Sequence, residues 1–345
     1  MKSCFLAIAH RFWWVRAVFL LFSAGMTAPA MSSSTNSVKS ETYAEMRIVV
    51  LNSADASVSL LDPVTHIEVS RFPVGKEPHH LIATPDNKSL WVANAAGNDL
   101  VVLDPVTGEI RKRIGNIDDP YQVGFSPDQK WFVANSLRLD RVDLYQYDGG
   151  DGLKLAKRIA LPKMPSHMAF SDDSKKLFVT LQGNDKIAAI DLATHTVLWQ
   201  MKVGPQPAGI VLTPDQKYLL VGIMGSDYVE VIDWRLQKSV GRIVTGKGAH
   251  NFRALGDKRH LFVSNRVSNQ VTLLDLQALK VVGQIPVMGG PDCMEVSEDR
   301  KTMWVTSRWK KQVSVVDIEK RAVTQVIPVG RSPHGIYFRK RAGDV

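Results

Sequence analysis

The sequence predicts an all-β fold, a seven-bladed β-propeller of four-stranded blades, and three observations carry that prediction. An acidic residue closes a β-rich run at Asp62, Asp104, Asp191, Asp233, Asp275 and Asp317, and the spacing is 42 residues from 62 to 104 and from 191 through 233 and 275 to 317. Each interval holds four short runs of β-branched and aromatic residues, separated by clusters of Gly, Pro, Asn and Asp. Runs of first-strand type number seven, beginning near Pro78, Pro120, Pro165, Pro207, Ala249, Pro291 and Pro333. A fixed period of this size means stacked or ring-arranged units, and four strands per unit suit propeller blades.

One unit reads from 78 to 119. Pro78, His79 and His80 lead into Leu81-Ile82-Ala83-Thr84, the first strand. Pro85-Asp86-Asn87-Lys88 is a turn, because Pro presets φ and Asp bonds nearby backbone. Leu90-Trp91-Val92-Ala93-Asn94 is the second strand, Leu100-Val101-Val102-Leu103-Asp104 the third, and Pro105-Val106-Thr107-Gly108 the turn after it. Glu109 to Ile114 alternates polar and apolar, as a half-exposed outer strand should. The recurring Asp suits a cap on the third turn and is read as structural. The expected acidic residue at 146 is Gln146, and three extra residues precede Asp191.

The ends predict ring closure. The first run of second-strand type is Arg47-Ile48-Val49-Val50-Leu51-Asn52, so the N-terminal part supplies three strands of a blade. Pro333-His334-Gly335-Ile336-Tyr337-Phe338 supplies its missing first strand. Pairing the N- and C-terminal strands hides two sheet edges that invite aggregation. The propeller is placed at 46–340, with 341–345 as a C-terminal tail.

Residues 1–30 stand apart. Lys2, Arg11 and Arg16 precede the apolar stretch Ala17-Val18-Phe19-Leu20-Leu21-Phe22, and Ala28-Pro29-Ala30 offers small residues for cleavage. This reads as a secretory signal peptide, with an uncleaved anchor as the alternative, and it places the protein in the periplasm. The apolar stretch is short for a membrane span, so none is expected once the signal is removed. Residues 31–45, rich in Ser and Thr, read as a flexible leader. Losing the three basic residues takes the formal charge from +9 to +6. That excess suits an anionic partner and equally plain solubility. Cys293 is the one cysteine beyond the leader, so no internal disulfide is available. It is a buried small hydrophobe, a reactive thiol or a ligand.

The repeat resembles the YVTN family of β-propellers. The resemblance rests on Val74-Gly75-Lys76-Glu77-Pro78, Ser126-Pro127-Asp128-Gln129-Lys130, Trp91-Val92-Ala93-Asn94, Phe262-Val263-Ser264-Asn265 and Val313-Ser314-Val315-Val316-Asp317, and it spans roughly 46–340. It implies the propeller fold; a monomer is expected. For function it implies a range: exported proteins of unsettled role, one type of which binds DNA, lactonases of the 6-phosphogluconolactonase kind, haem d1-associated proteins, and the propeller part of nitrous oxide reductase. Fold does not fix function. Against parts of that range, the repeat count is seven rather than the eight of a cytochrome cd1 haem d1 domain. There is no C-x-x-C-H for covalent haem, and the G-H…W-D pattern of WD40 repeats is absent. No G-x-S-x-G elbow, H-E-x-x-H or P-loop occurs in the sequence.

The register sorts side chains by position. The residues that follow the proline slot surround the mouth of the central channel and vary from repeat to repeat. Five of the eight histidines beyond the leader fall there: His79, His80, His167, His250 and His334. Neutral imidazoles converging on a channel could bind copper, zinc or iron, with Cys293, Asp292 or Met294 adding a ligand. A histidine there could also act as a general base. The same face carries Tyr121 and the turn residues Arg138, Arg141, Arg266, Arg308, Trp309, Lys310 and Lys311. Arginine forks and a stacking indole suit a small anionic ligand, a protein partner or single-stranded nucleic acid. Solvated loop charges are the bland alternative. Three functions therefore stand open: an exported binding or scaffold protein that recognises a partner or anionic ligand at its mouth, a metal- or haem-type-cofactor-dependent oxidoreductase or cofactor-handling protein, and a lactonase-like hydrolase.

Overall fold

The computed structural model describes residues 46–344. The expected signal peptide and leader lie outside the described residues. Within them the chain forms seven four-stranded antiparallel sheets. Each innermost strand contacts the next all the way round the ring.

Burial explains the strand composition. Second strands such as Leu90–Asn94 are buried along their whole length, while fourth strands such as Ile110–Gly115 are exposed almost throughout. A middle strand has a neighbouring blade against each of its faces, so it needs apolar side chains on both, which the near-continuous Val/Ile/Leu runs supply. Trp91, Trp304, Phe132, Phe178, Phe262 and Phe338 are fully buried between blades. A side chain of that size contributes on the order of 2–3 kcal/mol by burial.

The ring closes as the sequence predicts. Pro333–Phe338 pairs antiparallel with Ile48–Asn52, which leads into Ser57–Leu61 and Glu68–Pro73 of the same sheet. Beyond the last strand the tail stays attached. Arg341 bridges to Ser297, and the Ala342 amide donates to the Val296 carbonyl at 2.8 Å. Among the described residues no helix is long and apolar enough to cross a membrane.

Two turn types repeat with little variation, both on the face opposite the mouth. After first strands, a hydroxyl donates to an Asp two residues on, as in Thr84 to Asp86, Ser126 to Asp128 and Ser171 to Asp173, each at 2.7 Å. After third strands, Asp62 and Asp104 each accept backbone amides two and three residues ahead at 2.8 Å, and Asp191, Asp233 and Asp275 do the same. Asp317 accepts the Lys320 amide at 2.9 Å. In the blade with Gln146 the third and fourth strands are longer, Arg141–Tyr147 and Leu153–Ala160, and they absorb the extra residues.

Candidate functional site

The site is built where the innermost strands begin. All seven of these strands carry a register shift at their start, for example between Pro78 and His80, Pro165 and Met168, Ala249 and Phe252, Pro291 and Met294, and Pro333 and Ile336. In a regular strand consecutive residues face opposite sides. A bulge relaxes that rule and re-aims side chains, so His79 and His80, or Asp292 and Cys293, both belong to one cluster. The amides freed from the ladder find side-chain acceptors on the second strand. His167 donates to Thr180 Oγ1, Asn251 to Ser264 Oγ and Cys293 to Thr306 Oγ1, at 3.0, 3.1 and 3.0 Å. Those hydroxyls share one register position, a signal visible in the repeat that the sequence reading did not use.

All five mouth histidines converge. His80, His167, His250 and His334 form a closed circuit. The ring centres are 5.6 Å apart from 80 to 167, 5.2 Å from 167 to 250, 6.4 Å from 250 to 334 and 4.8 Å from 334 back to 80. Adjacent rings stand between 77° and 86° to each other. His79 sits outside this circuit, sandwiched between Tyr121 at 3.9 Å and His334 at 3.8 Å.

Hydrogen bonding sets which nitrogens are free. His80 Nδ1 lies 2.7 Å from the Tyr121 carbonyl, and His334 Nδ1 lies 2.6 Å from the His79 carbonyl. A carbonyl only accepts, so each Nδ1 carries the proton and each Nε2 keeps its lone pair. His167 Nδ1 pairs with Ser166 Oγ at 3.3 Å. The Nε2 atoms of His80, His167 and His334 are buried and have no hydrogen-bond partner. Burial depresses the basicity of all five imidazoles, to about 4 for His80 and His250 and well below 6.5 for His79, His167 and His334. They are neutral at neutral pH, the form that binds metals.

Asp292 is the hub. Its carboxylate is buried and takes Arg266 Nη2 at 2.6 Å and Arg308 Nη1 at 3.4 Å. Oδ1 lies 3.1 Å from His250 Nδ1, off line for a hydrogen bond, and Oδ2 lies 3.7 Å from His334 Nε2. Asp292 thus spans the widest gap of the histidine circuit. Burial opposes its ionisation, but the Arg266 guanidinium overrides burial and holds the carboxyl well below the usual range. Cys293 is buried beside it, with Sγ 3.7 Å from His334 Nδ1 and 3.2 Å from the Asn251 amide that donates to it. Burial first, then the Asp292 charge, pushes the thiol up. Two groups place their ligand atoms within 4.8 Å of one another: His79, His80 and His334, and Asp292, Cys293 and His334. Met294 faces away, into the core cluster with Phe262 and Met303.

The basic residues divide. Arg266 and Arg308 reach the histidine site through Asp292. Arg138 is held elsewhere, by Asp119 at 2.6 Å and Glu77 at 2.5 Å. Arg141 opens a third strand and pairs with Asp118 and Asp143. Trp309 is 58 % exposed on the outer surface of the mouth. Its ring lies against Gly290, where an added Cβ would meet indole atoms within 2.8 Å. The carboxylate partners of Arg138 and Arg266 come from 19 and 26 residues away in sequence, and the sequence reading did not anticipate this pairing.

Comparisons with known proteins agree with this architecture. The dihydro-haem d1 dehydrogenase NirN superposes with a TM-score of 0.64 at 15% identity, covering 86% of this chain and 75% of that one. A putative 6-phosphogluconolactonase from Bacteroides uniformis superposes with a TM-score of 0.68 at 15% identity, covering 86% and 99%. At such identities the likeness is one of fold. An uncharacterised protein of Staphylococcus saprophyticus is 30% identical over 118 residues, which are 29% of this chain and 34% of that protein. The alignment thus spans about a third of that curated relative. The model of the YNCE-like beta-propeller family matches residues 7–343. The chain belongs to the YNCE-like β-propeller family.

Proposed function

We propose that this protein is an exported binding protein whose propeller channel holds a transition-metal ion on the imidazoles of His80, His167, His250 and His334. The observation that carries the reading is the set of buried Nε2 atoms on His80, His167 and His334 that lack any partner. Buried polar atoms are nearly always satisfied, and these lone pairs lie beside two sets of ligand atoms within 4.8 Å of one another, His79, His80 and His334, and Asp292, Cys293 and His334, an arrangement that asks for a cation. An ion bonded to four imidazole nitrogens at about 2.0–2.1 Å holds neighbouring ring centres about 5 Å apart, so the ring centres are already spaced for it, and His167 and His250, which belong to neither close set of ligand atoms, would have to turn their nitrogens inward to complete the site. Backbone carbonyls that fix Nδ1–H are the usual outer-shell support for an Nε2 ligand.

The donor set narrows the ion. Imidazole nitrogens suit copper, zinc and iron, and copper leads at such sites by intrinsic affinity. A haem fits poorly, because its iron arrives with four nitrogens and takes one or two ligands from the protein, whereas four imidazoles saturate an ion that brings none. Four protein donors also leave no open position for substrate, which favours holding the ion over catalysis on it. Asp292, shared with Arg266 and Arg308, supplies the nearest negative charge.

Metal analysis of the protein purified from the periplasm tests the reading. The wild type should carry about one equivalent of metal, and His80→Ala/His167→Ala less than about a tenth, with far-ultraviolet circular dichroism showing that the variant folds. Wild type that takes up no copper, zinc or iron on reconstitution would overturn the proposal.

A further inference from the structure

About 10 Å further along the strand that carries His250, the channel opens on the face opposite the mouth. A cavity of about 360 Å³ lies there, with apolar walls at Phe170, Ile210, Leu212 and Phe252 and polar groups at Asp172, Gln216, Arg253 and Asp344. Its volume falls in the range of small-molecule sites, which combine apolar walls with few polar anchors. Arg253 is the anchor. It is buried, and its Nε donates to Glu295 Oε1 at 2.8 Å. Its other two nitrogens are taken by the C-terminal tail, Nη2 by the Ala342 carbonyl at 2.5 Å and Nη1 by the Asp344 carboxylate.

The tail is held unequally. Up to Ala342 it is fixed by amide–carbonyl bonds from Glu298 to Lys340 and from Ala342 to Val296, at 2.9 and 2.8 Å, and Ala342 is buried. Past that point, a Cβ added at Gly343 would meet nothing within 4 Å. Asp344 is 83% exposed apart from its contact with Arg253. A buried guanidinium is thus paired, at the edge of a cavity with both apolar walls and polar groups, with a carboxylate that little else restrains.

We infer that this cavity binds a small apolar monocarboxylate, and that Asp344 is a tethered carboxylate occupying the ligand's place on Arg253. Exchanging one carboxylate for another leaves the local charge unchanged, so Arg253 is never left buried and unpaired, an outcome that would be costly. The incoming ligand adds what Asp344 lacks, a hydrocarbon body against Phe170, Ile210, Leu212 and Phe252. Gly343 gives the backbone freedom to release Asp344. The site is separate from the histidine circuit and does not depend on metal.

Isothermal titration with octanoate tests this on the full chain. A tethered competitor acts at roughly millimolar effective concentration, so Asp344→Ala should bind octanoate at least about tenfold more tightly than wild type. Octanol, with the same hydrocarbon chain and no carboxylate, should not bind Asp344→Ala, and Asp344→Ala/Arg253→Gln should lose octanoate. Because the double variant can fail to fold, the octanol comparison decides independently. Equal affinity of wild type and Asp344→Ala, octanol matching octanoate, or no octanoate binding to Asp344→Ala would each overturn the inference.

Discussion

The two faces of the ring use polar residues in opposite ways. On the face opposite the mouth, Asp62, Asp104, Asp191, Asp233 and Asp275 repeat one geometry, each carboxylate accepting two amides of its own turn. At the mouth the slot residues change from blade to blade, with His in three and Tyr, Ser, Ala or Asp in the others, and buried nitrogens of His80, His167 and His334 are left without partners. Saturated hydrogen bonding inside a repeat is what a scaffold needs, and it is the same need in every blade. Unsatisfied buried groups cost free energy, and at the mouth they are imidazole lone pairs clustered together, groups that a ligand can satisfy. Repetition therefore marks structure in this molecule, and its interruption marks the site.

The strongest way to break the comparison is to remove the hub of the irregular face. Asp292→Ala strips Arg266 of its buried partner and leaves His250 and His334 facing a cation. Breaking a buried ion pair on one side costs about 3–5 kcal/mol. Urea unfolding of the metal-free protein should show that loss. A change under about 1 kcal/mol, typical of surface pairs, would mean that Asp292 is no more central than a turn aspartate.

Proton competition gives the next largest effect, and it belongs to the mouth alone. His80 and His250 titrate near 4 in the folded chain because burial disfavours their charged form, against 6.5 when unfolded. Between those values the unfolded state binds more protons, so stability is full above 6.5 and declines as pH falls toward 4. Each such histidine contributes a slope of up to about 1.4 kcal/mol per pH unit within that window. Asp292 has the opposite sense: its stabilisation is present above the ordinary carboxylate value of 3.8 and is lost only at more acid pH, so it does not cancel the slope. Metal-free wild type should lose stability between pH 7 and 5, and His250→Gln should show a shallower loss. Identical slopes for the two proteins would contradict the burial argument.

How much of this was legible in the sequence follows from how far each interaction reaches. The turns were legible because Asp104 and the amides of Val106 and Thr107 lie within one four-residue segment. The histidine slot was legible because the 42-residue register aligns His79, His250 and His334 even though they belong to different blades. The bulges were not, since nothing in Pro78-His79-His80 announces the break in strand alternation that lets both imidazoles face the mouth. The arginines show the limit most clearly. Arg138 and Arg266 read as free cations because Asp119, Glu77 and Asp292 meet them only after the chain has gone round a strand or a blade. Arg253 and Asp344, 91 residues apart, had no local signal at all.

The smallest effect tests the repeated face directly. Asp191 accepts the amides of Ala193 and Thr194 at 3.0 and 2.9 Å, and also the Thr194 hydroxyl at 3.1 Å. These bonds keep its carboxyl below the usual range, with the Thr194 amide as the largest cause. The turn is solvated, so Asp191→Ala exchanges those bonds for bonds to water and leaves no buried group unpaired. The expected cost is about 1 kcal/mol at neutral pH, read from the urea midpoint, with metal content unchanged. The sign with pH is fixed by the depressed carboxyl: the difference between wild type and Asp191→Ala is present above 3.8 and shrinks as pH falls below it. That window does not overlap the histidine window. A metal loss in Asp191→Ala, or a pH dependence between 6.5 and 4, would show that the repeated turns and the mouth are coupled and that the division between scaffold and site is drawn in the wrong place.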